Sequence, residues 1–246
     1  MKRTLFVSTL LTFMVGCFAQ HIDFDINCSL TKPNYKIVND NHKINKKMYW
    51  LPSHLQFSVG YVFPNNLEIN SGIGFYAYST NYTLQPFNNN LAPIHPWIRS
   101  YTALNIPIQI GYNIELCKQL YLRFKTGFDF DFYFPNSGGG VLVETIENDY
   151  YYYTTMWGNM HRFNILISNS LSLYYVTKFN MNVGLLIGYH AGLRTVWENS
   201  ATLVEREAIN EMGSESHIIN ISKGSYLHCG ITLGYRFSLK NKKLKE

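Results

Sequence analysis

The sequence lacks the feature that most membrane proteins share, which is a long apolar run. Past residue 19, no stretch approaches the roughly 18 consecutive apolar residues that a membrane-spanning helix needs. This excludes a helical span in the rest of the chain. Mean hydropathy is only −0.12, but a strand crosses a bilayer with about 9 to 11 residues of which half are apolar. The low value therefore leaves a membrane β-barrel possible.

Cysteine and charge are also scarce. Of four cysteines, Cys28, Cys117 and Cys229 follow the first 20 residues, and they lack metal or redox spacing. An odd number without such spacing makes a disulfide framework unexpected. Charged residues form 15% of the chain, and the formal charge of +5 falls to about +3 without Lys2 and Arg3. So weak a charge does not indicate nucleic-acid binding.

The first residues have the composition of an export signal. A basic start precedes the apolar residues 5–15, and Cys17-Phe18-Ala19 forms a small-x-small cleavage site. We therefore expect residues 1–19 to be a signal peptide, 20–239 to be the folded barrel and 240–246 to be a basic periplasmic tail. An alternative is lipidation of Cys17, because Met14-Val15-Gly16-Cys17 is similar to a lipoprotein box. The ordinary site before Gln20 is favoured.

What the chain does contain is alternation between apolar and polar residues, which is typical of strands with two unlike faces. The clearest case is the stretch from Leu120 to Phe134, where Leu and Phe alternate with Tyr, Arg, Lys, Gly and Asp. Eight such segments are predicted, at residues 22–31, 53–63, 67–79, 100–114, 119–134, 161–176, 181–196 and 224–239.

The connections differ in length in a regular way. Three are tight turns, at Pro64–Asn66, Glu115–Lys118 and Thr177–Asn180, and the other four are long. Short turns on one side and long loops on the other are typical of outer-membrane barrels. We therefore predict an all-β fold, an eight-stranded antiparallel up-and-down transmembrane β-barrel with short periplasmic turns and four long extracellular loops.

Alternation does not say which face is inside, because a soluble lipocalin-like barrel also alternates, with its apolar face inward. The glycines favour one direction, since ten of those in the predicted strands lie on the polar face and none lies on the apolar face. Small residues suit the crowded interior of an eight-stranded wall. The polar face is therefore predicted to line the lumen. The ten are Gly60, Gly72, Gly74, Gly111, Gly127, Gly184, Gly188, Gly192, Gly230 and Gly234.

Two stretches resemble PorT-like outer-membrane β-barrel proteins. Residues 101–112, YTALNIPIQIGY, resemble the Ile-Pro strand of that family, and Pro107 predicts a local bulge because proline cannot donate to the ladder. Residues 232–239, TLGYRFSL, are similar to the closing strand that the barrel assembly machinery reads. The resemblance implies an eight-stranded barrel in the outer membrane. Some relatives serve secretion or gliding, and most have no assigned activity.

Charged residues on the predicted inner face indicate a lumen polar network, since buried charges must be paired or hydrated. A catalytic alternative would use His190 as a base beside Asp129 or Asp131, with Ser168 or Ser170 as nucleophile. No known catalytic or metal-binding motif supports it. The predicted network comprises Arg123, Lys125, Asp129, Asp131, His190, Arg194, His228 and Arg236, with Glu68 and Gln109 on the same face.

Two long loops carry recognisable patterns. In the third, Val141-x-Val143 and the run Tyr150, Tyr151, Tyr152, Tyr153 favour a hairpin above the membrane over a calcium site built from Glu144, Glu147, Asn148 and Asp149. The tyrosines and Trp157 are the candidates for binding a partner, because loops on rigid scaffolds carry specificity. In the fourth, residues 201–212 before Gly213 indicate a short surface helix.

The leading expectation is a non-enzymatic outer-membrane barrel with a filled lumen, whose loops contact a protein or glycan partner. Outer-membrane lipid and, during biogenesis, the assembly machinery are its other expected partners, and no cofactor, metal or nucleic acid is expected. The alternatives are an outer-membrane enzyme acting on lipid or peptide and an exported soluble lipocalin-like barrel.

Overall fold

The structure is a computed structural model. It describes residues 20–39, 44–46, 51–80, 82–84, 99–134, 141–146, 149–156, 161–207 and 213–239. The predicted signal peptide, the basic tail and Trp157 lie outside these residues.

Thirteen strands account for most of the described chain. They are β1 His21–Asn39, β2 Ile44–Lys46, β3 Leu51–Val62, β4 Leu67–Thr80, β5 Tyr82–Leu84, β6 Arg99–Cys117, β7 Leu120–Phe134, β8 Val141–Ile146, β9 Asp149–Met156, β10 Phe163–Val176, β11 Met181–Gly192, β12 Trp197–Glu207 and β13 Gly213–Ser238. Eight of them, β1, β3, β4, β6, β7, β10, β11 and β13, match the eight predicted segments.

These eight strands close into a barrel. Each pairs antiparallel with its neighbour, in the order β1-β3-β4-β6-β7-β10-β11-β13, and β13 then pairs with β1. The closing ladder begins at the pair His21 and Ser238, and the backbone N–H of Leu239 donates to the carbonyl of Gln20 at 3.1 Å. The predicted eight-stranded antiparallel up-and-down barrel is confirmed. Closure leaves the wall without a free edge.

All three predicted tight turns lie at one end of the barrel, the turn end, and the opposite end is the loop end. Each turn contains one residue in the left-handed backbone region, namely Asn66, Gln119 or Asn180. Asparagine tolerates that region better than most residues, which explains its recurrence. The second turn is displaced from its prediction, because β6 continues to Cys117 past a register shift after Glu115.

The side chains are distributed in the inverse of the soluble pattern. Phe128 is 51% exposed on the outer face, whereas the adjacent Asp129 is 0% exposed inside. Leu, Ile, Val and Phe side chains cover the outer wall on all eight strands, and the polar face lines the lumen as predicted. This is the direction opposite to a lipocalin-like barrel. Among the described residues, no helix is long and apolar enough to cross a membrane.

Glycines permit close approach beneath the largest inward side chains. A Cβ on Gly60 would lie 2.5 Å from Oε1 of Glu68, and one on Gly188 would collide with the ring of His228. The predicted crowding of the inner face is therefore confirmed at these two glycines. The side chains that crowd them, Glu68 and His228, belong to the polar face of the barrel.

Above the wall, part of the barrel continues as a loop-end sheet, formed by β8, β9, β12, residues 213–222 of β13 and residues 35–39 of β1. The predicted hairpin is confirmed as β8 and β9. The surface helix predicted at residues 201–212 is wrong for residues 201–207, because these belong to β12, which pairs with both β9 and β13. Residues 208–212 lie outside the described residues. Strand pairing on two sides outweighed the weak local helix signal.

Pro107 does not produce the predicted bulge. The register between β4 and β6 is the same on both sides of Pro107, and its pairing with Asp129 in β7 is continuous. Only the ladder towards β4 is interrupted there. The hydroxyl of Ser71 donates to the carbonyl of Pro107 at 2.8 Å, so a side chain bridges the gap.

We expect Phe128→Arg to destabilise the protein by about 2 to 4 kcal/mol in lipid vesicles, because it places a cation on the outer wall near mid-height. Phe179→Arg is the matched control, since Phe179 lies in a turn and is 81% exposed. Urea unfolding followed by tryptophan fluorescence measures both. Equal effects of the two substitutions would contradict a lipid-facing wall.

Candidate functional site: the lumen network

The half of the lumen near the turn end is organised around Arg123. Its guanidinium contacts three carboxylates: Nη1 lies 2.6 Å from Oδ2 of Asp25, Nε lies 3.1 Å from Oε2 of Glu68, and Nη2 donates to Asp23. All four side chains are nearly inaccessible to solvent. Such pairing is what allows the charges to remain buried, because an unpaired charge there would have no water to solvate it.

Two further cations complete this arginine cluster. Lys125 Nζ lies 3.1 Å from the second oxygen of Glu68. Arg236 donates from Nε to Asp23 Oδ1 at 2.9 Å and from Nη2 to the hydroxyl of Tyr174 at 3.0 Å. Three cations thus face three carboxylates, which makes the cluster electrically balanced. The ring of Tyr174 also lies beneath Arg123, 4.4 Å from its Cζ.

Sequence analysis missed the acidic half of this cluster on β1. Asp23 and Asp25 alternate with Ile22, Phe24 and Ile26, so the same rule that found Arg123 applies to them. They were not predicted because the segment at residues 22–31 is shorter and less clearly patterned than the one at residues 119–134. Tyr174 gave less signal, since tyrosine is common on either face of a strand.

The half near the loop end is built around a second set of carboxylates. Asp131 accepts hydrogen bonds from the hydroxyls of Tyr76 at 2.5 Å and Tyr133 at 3.1 Å, and from Nδ2 of Asn105 at 2.7 Å. A buried apolar layer lies around the same tyrosines and closes the lumen towards the loop end. It consists of Tyr76, Ala103, Tyr133, Leu166, Val196 and Tyr226.

Three histidines lie beside this layer and form a histidine cluster with Asp129. Nδ1 of His190 is 2.5 Å from Oδ2 of Asp129, and its ring stacks on that of Tyr226 with 4.3 Å between the ring centroids. His54 packs edge-on against His228 at 5.4 Å between ring centroids. Within the described part of the chain, neither ring nitrogen of His54 has a hydrogen-bond partner.

Between the two clusters the lumen has almost no free volume. The cavity there measures about 20 Å³ and is lined by Lys125, Gln109, Asn70, His190 and His228, among others. This is room for about one water molecule, which needs two to four polar partners. A larger and mostly apolar concavity of about 1060 Å³ follows the wall beside the loop-end half of the lumen. Its lining includes the outward side chains Leu55 and Phe75 and also the inward residues His54 and Tyr76.

The structure places most of the predicted network residues together, with one correction. Arg123, Lys125, Asp129, Asp131, His190, His228 and Arg236 are all buried inside the barrel. Arg194 is exposed at the loop end, where Nη2 donates to the carbonyl of Phe163. The reason is that β11 ends at Gly192, so the alternation that predicted an inward Arg194 no longer applies.

The tyrosine run lies in β9, which pairs with β8 on one side and with β12 on the other. Tyr151 is opposite Glu144 on one side and Glu205 on the other in the Cα register. The tyrosines are therefore part of an ordered strand ladder and not of a free loop. They are remote in topology from the lumen network.

The chemistry available inside the lumen is limited by access. Asp129 and His190 have the arrangement of a general base and its orienting acid, and Ser168 is the register partner of His190. Yet Ser168 accepts a hydrogen bond from Gln109 at 3.0 Å, and the adjoining cavity holds no substrate-sized space. No set of three or more His, Cys, Asp or Glu residues in the described ranges is placed to hold a metal ion.

No protein-family model matches the sequence. No curated protein matches it either. Among solved structures, the chain is similar to the outer membrane protein OprG from Pseudomonas aeruginosa, with 10% identity, coverage of 89% of this chain and 97% of that one, and a TM-score of 0.48. It is also similar to the outer membrane protein AlkL in lipid bilayers, with 10% identity, 90% and 92% coverage and a TM-score of 0.39. For the outer membrane protease OmpT from Escherichia coli the values are 10%, 89%, 97% and 0.38.

We expect Arg123→Met to destabilise the barrel by about 3 to 5 kcal/mol, because it leaves the carboxylates of Asp23, Asp25 and Glu68 without their main partner. Arg162→Met, at an exposed position of the loop end, is the control and is expected to have no measurable effect. The measurement is urea unfolding in vesicles. Equal stability of the two variants would show that the arginine cluster does not hold the lumen together.

Proposed function

We propose that this chain is an integral outer-membrane protein that acts by contact and not by catalysis or conduction. The support for the location is physical. The barrel is closed, its outer wall is apolar on every strand, and its polar groups face inward. Only helices and closed barrels satisfy all backbone polar groups in hydrocarbon. The expected export signal at residues 1–19 agrees with transport to that membrane.

The filled lumen argues against a role as a pore. Ion pairs of the arginine cluster cross the lumen between β1, β4, β7 and β13, and the apolar layer lies above them. A water-filled channel requires a wider wall of roughly 16 strands. Between the arginine cluster and the histidine cluster, the described residues leave a central cavity of about 20 Å³.

The observation that carries the proposal is the loop-end sheet, which projects from a sealed and rigid wall. In the described chain, β8 pairs on one side only, with β9, and residues 36–39 of β1 have β13 as their described strand partner. A sheet with two such edges offers backbone donors and acceptors to an extended partner segment. The tyrosines of β9 lie within it, and tyrosine is enriched at binding surfaces. The partner is a protein or a glycan.

The resemblance of residues 101–112 and 232–239 to PorT-like proteins extends this proposal to a role associated with secretion. Their observed placement is compatible with it: both lie in wall strands, β6 and β13, and β13 is the strand that closes the barrel. The assembly machinery would read β13 during insertion.

An enzyme acting on lipid or peptide is the second candidate, and the contact between Asp129 and His190 favours it. Against it, both side chains are buried within the histidine cluster, beside the apolar layer. A substrate would have to displace that layer to reach them. We therefore assign the pair a structural role.

Purified protein in planar bilayers is expected to show no stable large channels, because the lumen is blocked by paired charges. A double variant, Arg123→Ala with Arg236→Ala, removes two large side chains from the blockage and serves as the comparison. Single-channel recording measures both. Stable large conductance from the unsubstituted protein would refute the sealed lumen.

The partner surface is tested by a photo-crosslinking amino acid placed at Tyr151 in intact cells. A discrete crosslinked product is expected there, because Tyr151 lies in β9, next to the edge strand β8 of the loop-end sheet. The control is the same amino acid at Lys118, in a turn at the opposite end. Products of equal yield from both positions, or none from Tyr151, would contradict a loop-end partner surface.

A further inference from the structure

A recess at the turn end borders the arginine cluster, with which it shares Arg236. It has a volume of about 410 Å³ and is lined by residues 20–21, residues 238–239 and residues of the neighbouring turns. We call it the turn-end mouth, and its polar lining includes His21, Asn66, Asn113, Glu115, Tyr121 and Arg236. Its volume is within the range of roughly 300 to 1000 Å³ that is usual for ligand pockets.

His21 is the first sign that the mouth is a site. It is 9% exposed, and its Nε2 has no hydrogen-bond partner among the residues that the structure describes. The closest charge is Oδ1 of Asp23 at 3.8 Å, which is beyond hydrogen-bond distance. Buried polar atoms are nearly always paired, by protein or by ordered water, so this nitrogen is available to a molecule that enters the recess.

Arg236 is the second sign. Its Nε and Nη2 are engaged by Asp23 and Tyr174, whereas Nη1 donates to no residue within the described ranges. The guanidinium is nevertheless only 8% exposed, and it lies over the ring of Tyr121 at 5.0 Å. It is therefore held on two edges and one face, which leaves a fixed cationic donor in the lining of the mouth.

The charge balance around the mouth favours a monoanion. Asp23 is already paired with both Arg123 and Arg236. Part of the positive charge of Arg236 is therefore already neutralised before any ligand binds. Among the turn residues nearby, Lys118 and Lys178 are exposed, against one exposed acid, Glu115. This weak positive balance suits a carboxylate better than a doubly charged phosphate.

We propose that the turn-end mouth binds the C-terminal carboxylate of a short peptide, with Arg236 Nη1 and His21 Nε2 as donors. The volume of the mouth exceeds that of a single small carboxylate such as acetate, which favours a peptide of a few residues. Because this site lies at the opposite end from the loop-end sheet, its success or failure is independent of the proposed partner surface.

The test is a titration of the full chain in lipid nanodiscs, followed by backbone amide shifts in NMR spectra. The probes are N-acetyl-trialanine, its C-terminal amide and acetate. The peptide acid is expected to shift amides of residues 20–23 and 234–239 and to bind at least about tenfold more tightly than the amide or acetate. Equal binding of acid and amide, stronger binding of acetate, or no shift at the turn end would overturn the proposal.

Three variants locate the site. His21→Phe removes a nitrogen that makes no described hydrogen bond, so the barrel should still fold, and the peptide acid should bind about tenfold more weakly. His21→Gln keeps a donor and should retain most of the affinity. His161→Phe changes the same residue type at the exposed loop end and should bind as the unsubstituted chain does.

Altered electrophoretic mobility on heating reports folding of each variant. Unchanged affinity in folded His21→Phe would overturn the proposal. So would binding that becomes detectable only when the chain is truncated after Leu239, because residues 240–246 would then be the occupant of the mouth.

Discussion

Every charge that the alternating strands turn inward must find its partner inside a lumen only eight strands wide. The solvent that would screen these charges in a soluble protein is replaced by hydrocarbon outside and by packed side chains inside. Arg123 meets this constraint by contacting Asp23, Asp25 and Glu68, which come from β1 and β4. The pairing ties together strands that are far apart in the sequence. The wall and its contents therefore depend on each other.

The same constraint explains why the interior is divided into layers. Charged pairs occupy the turn half of the lumen, and hydrogen-bonded Asp131 lies with Tyr76 and Tyr133 towards the loop end. Glycines lie beneath the largest inward groups, as at Gly60 below Glu68, where any side chain would take the space of the carboxylate. A lumen packed in this way is a rigid support. The proposed binding surfaces are therefore at the two ends of the barrel and not in the lumen.

Much of the wall was predictable, because alternation is a local property that each strand displays by itself. Eight strands were found in this way. The short connections predicted the three turns, of which the second is displaced, and the glycines predicted the direction of the polar face. The loop-end sheet was only partly predictable. Residues 201–207 show acidic and apolar residues that are compatible with a helix, but pairing with β9 and β13 makes them a strand. Arg194 failed for a related reason, since alternation was extended past Gly192, where β11 ends.

By itself, the sequence determined that the protein has two unlike faces and that its polar face is the crowded one. It did so because side-chain direction alternates with every strand residue, whatever the partner strand is. Only the tertiary structure decided which charges meet. Asp23 and Arg123 are separated by 100 positions and come into contact because closure between β1 and β13 sets the register of the whole wall. The sealed lumen, the exposed edges of the loop-end sheet and the turn-end mouth all follow from that closure.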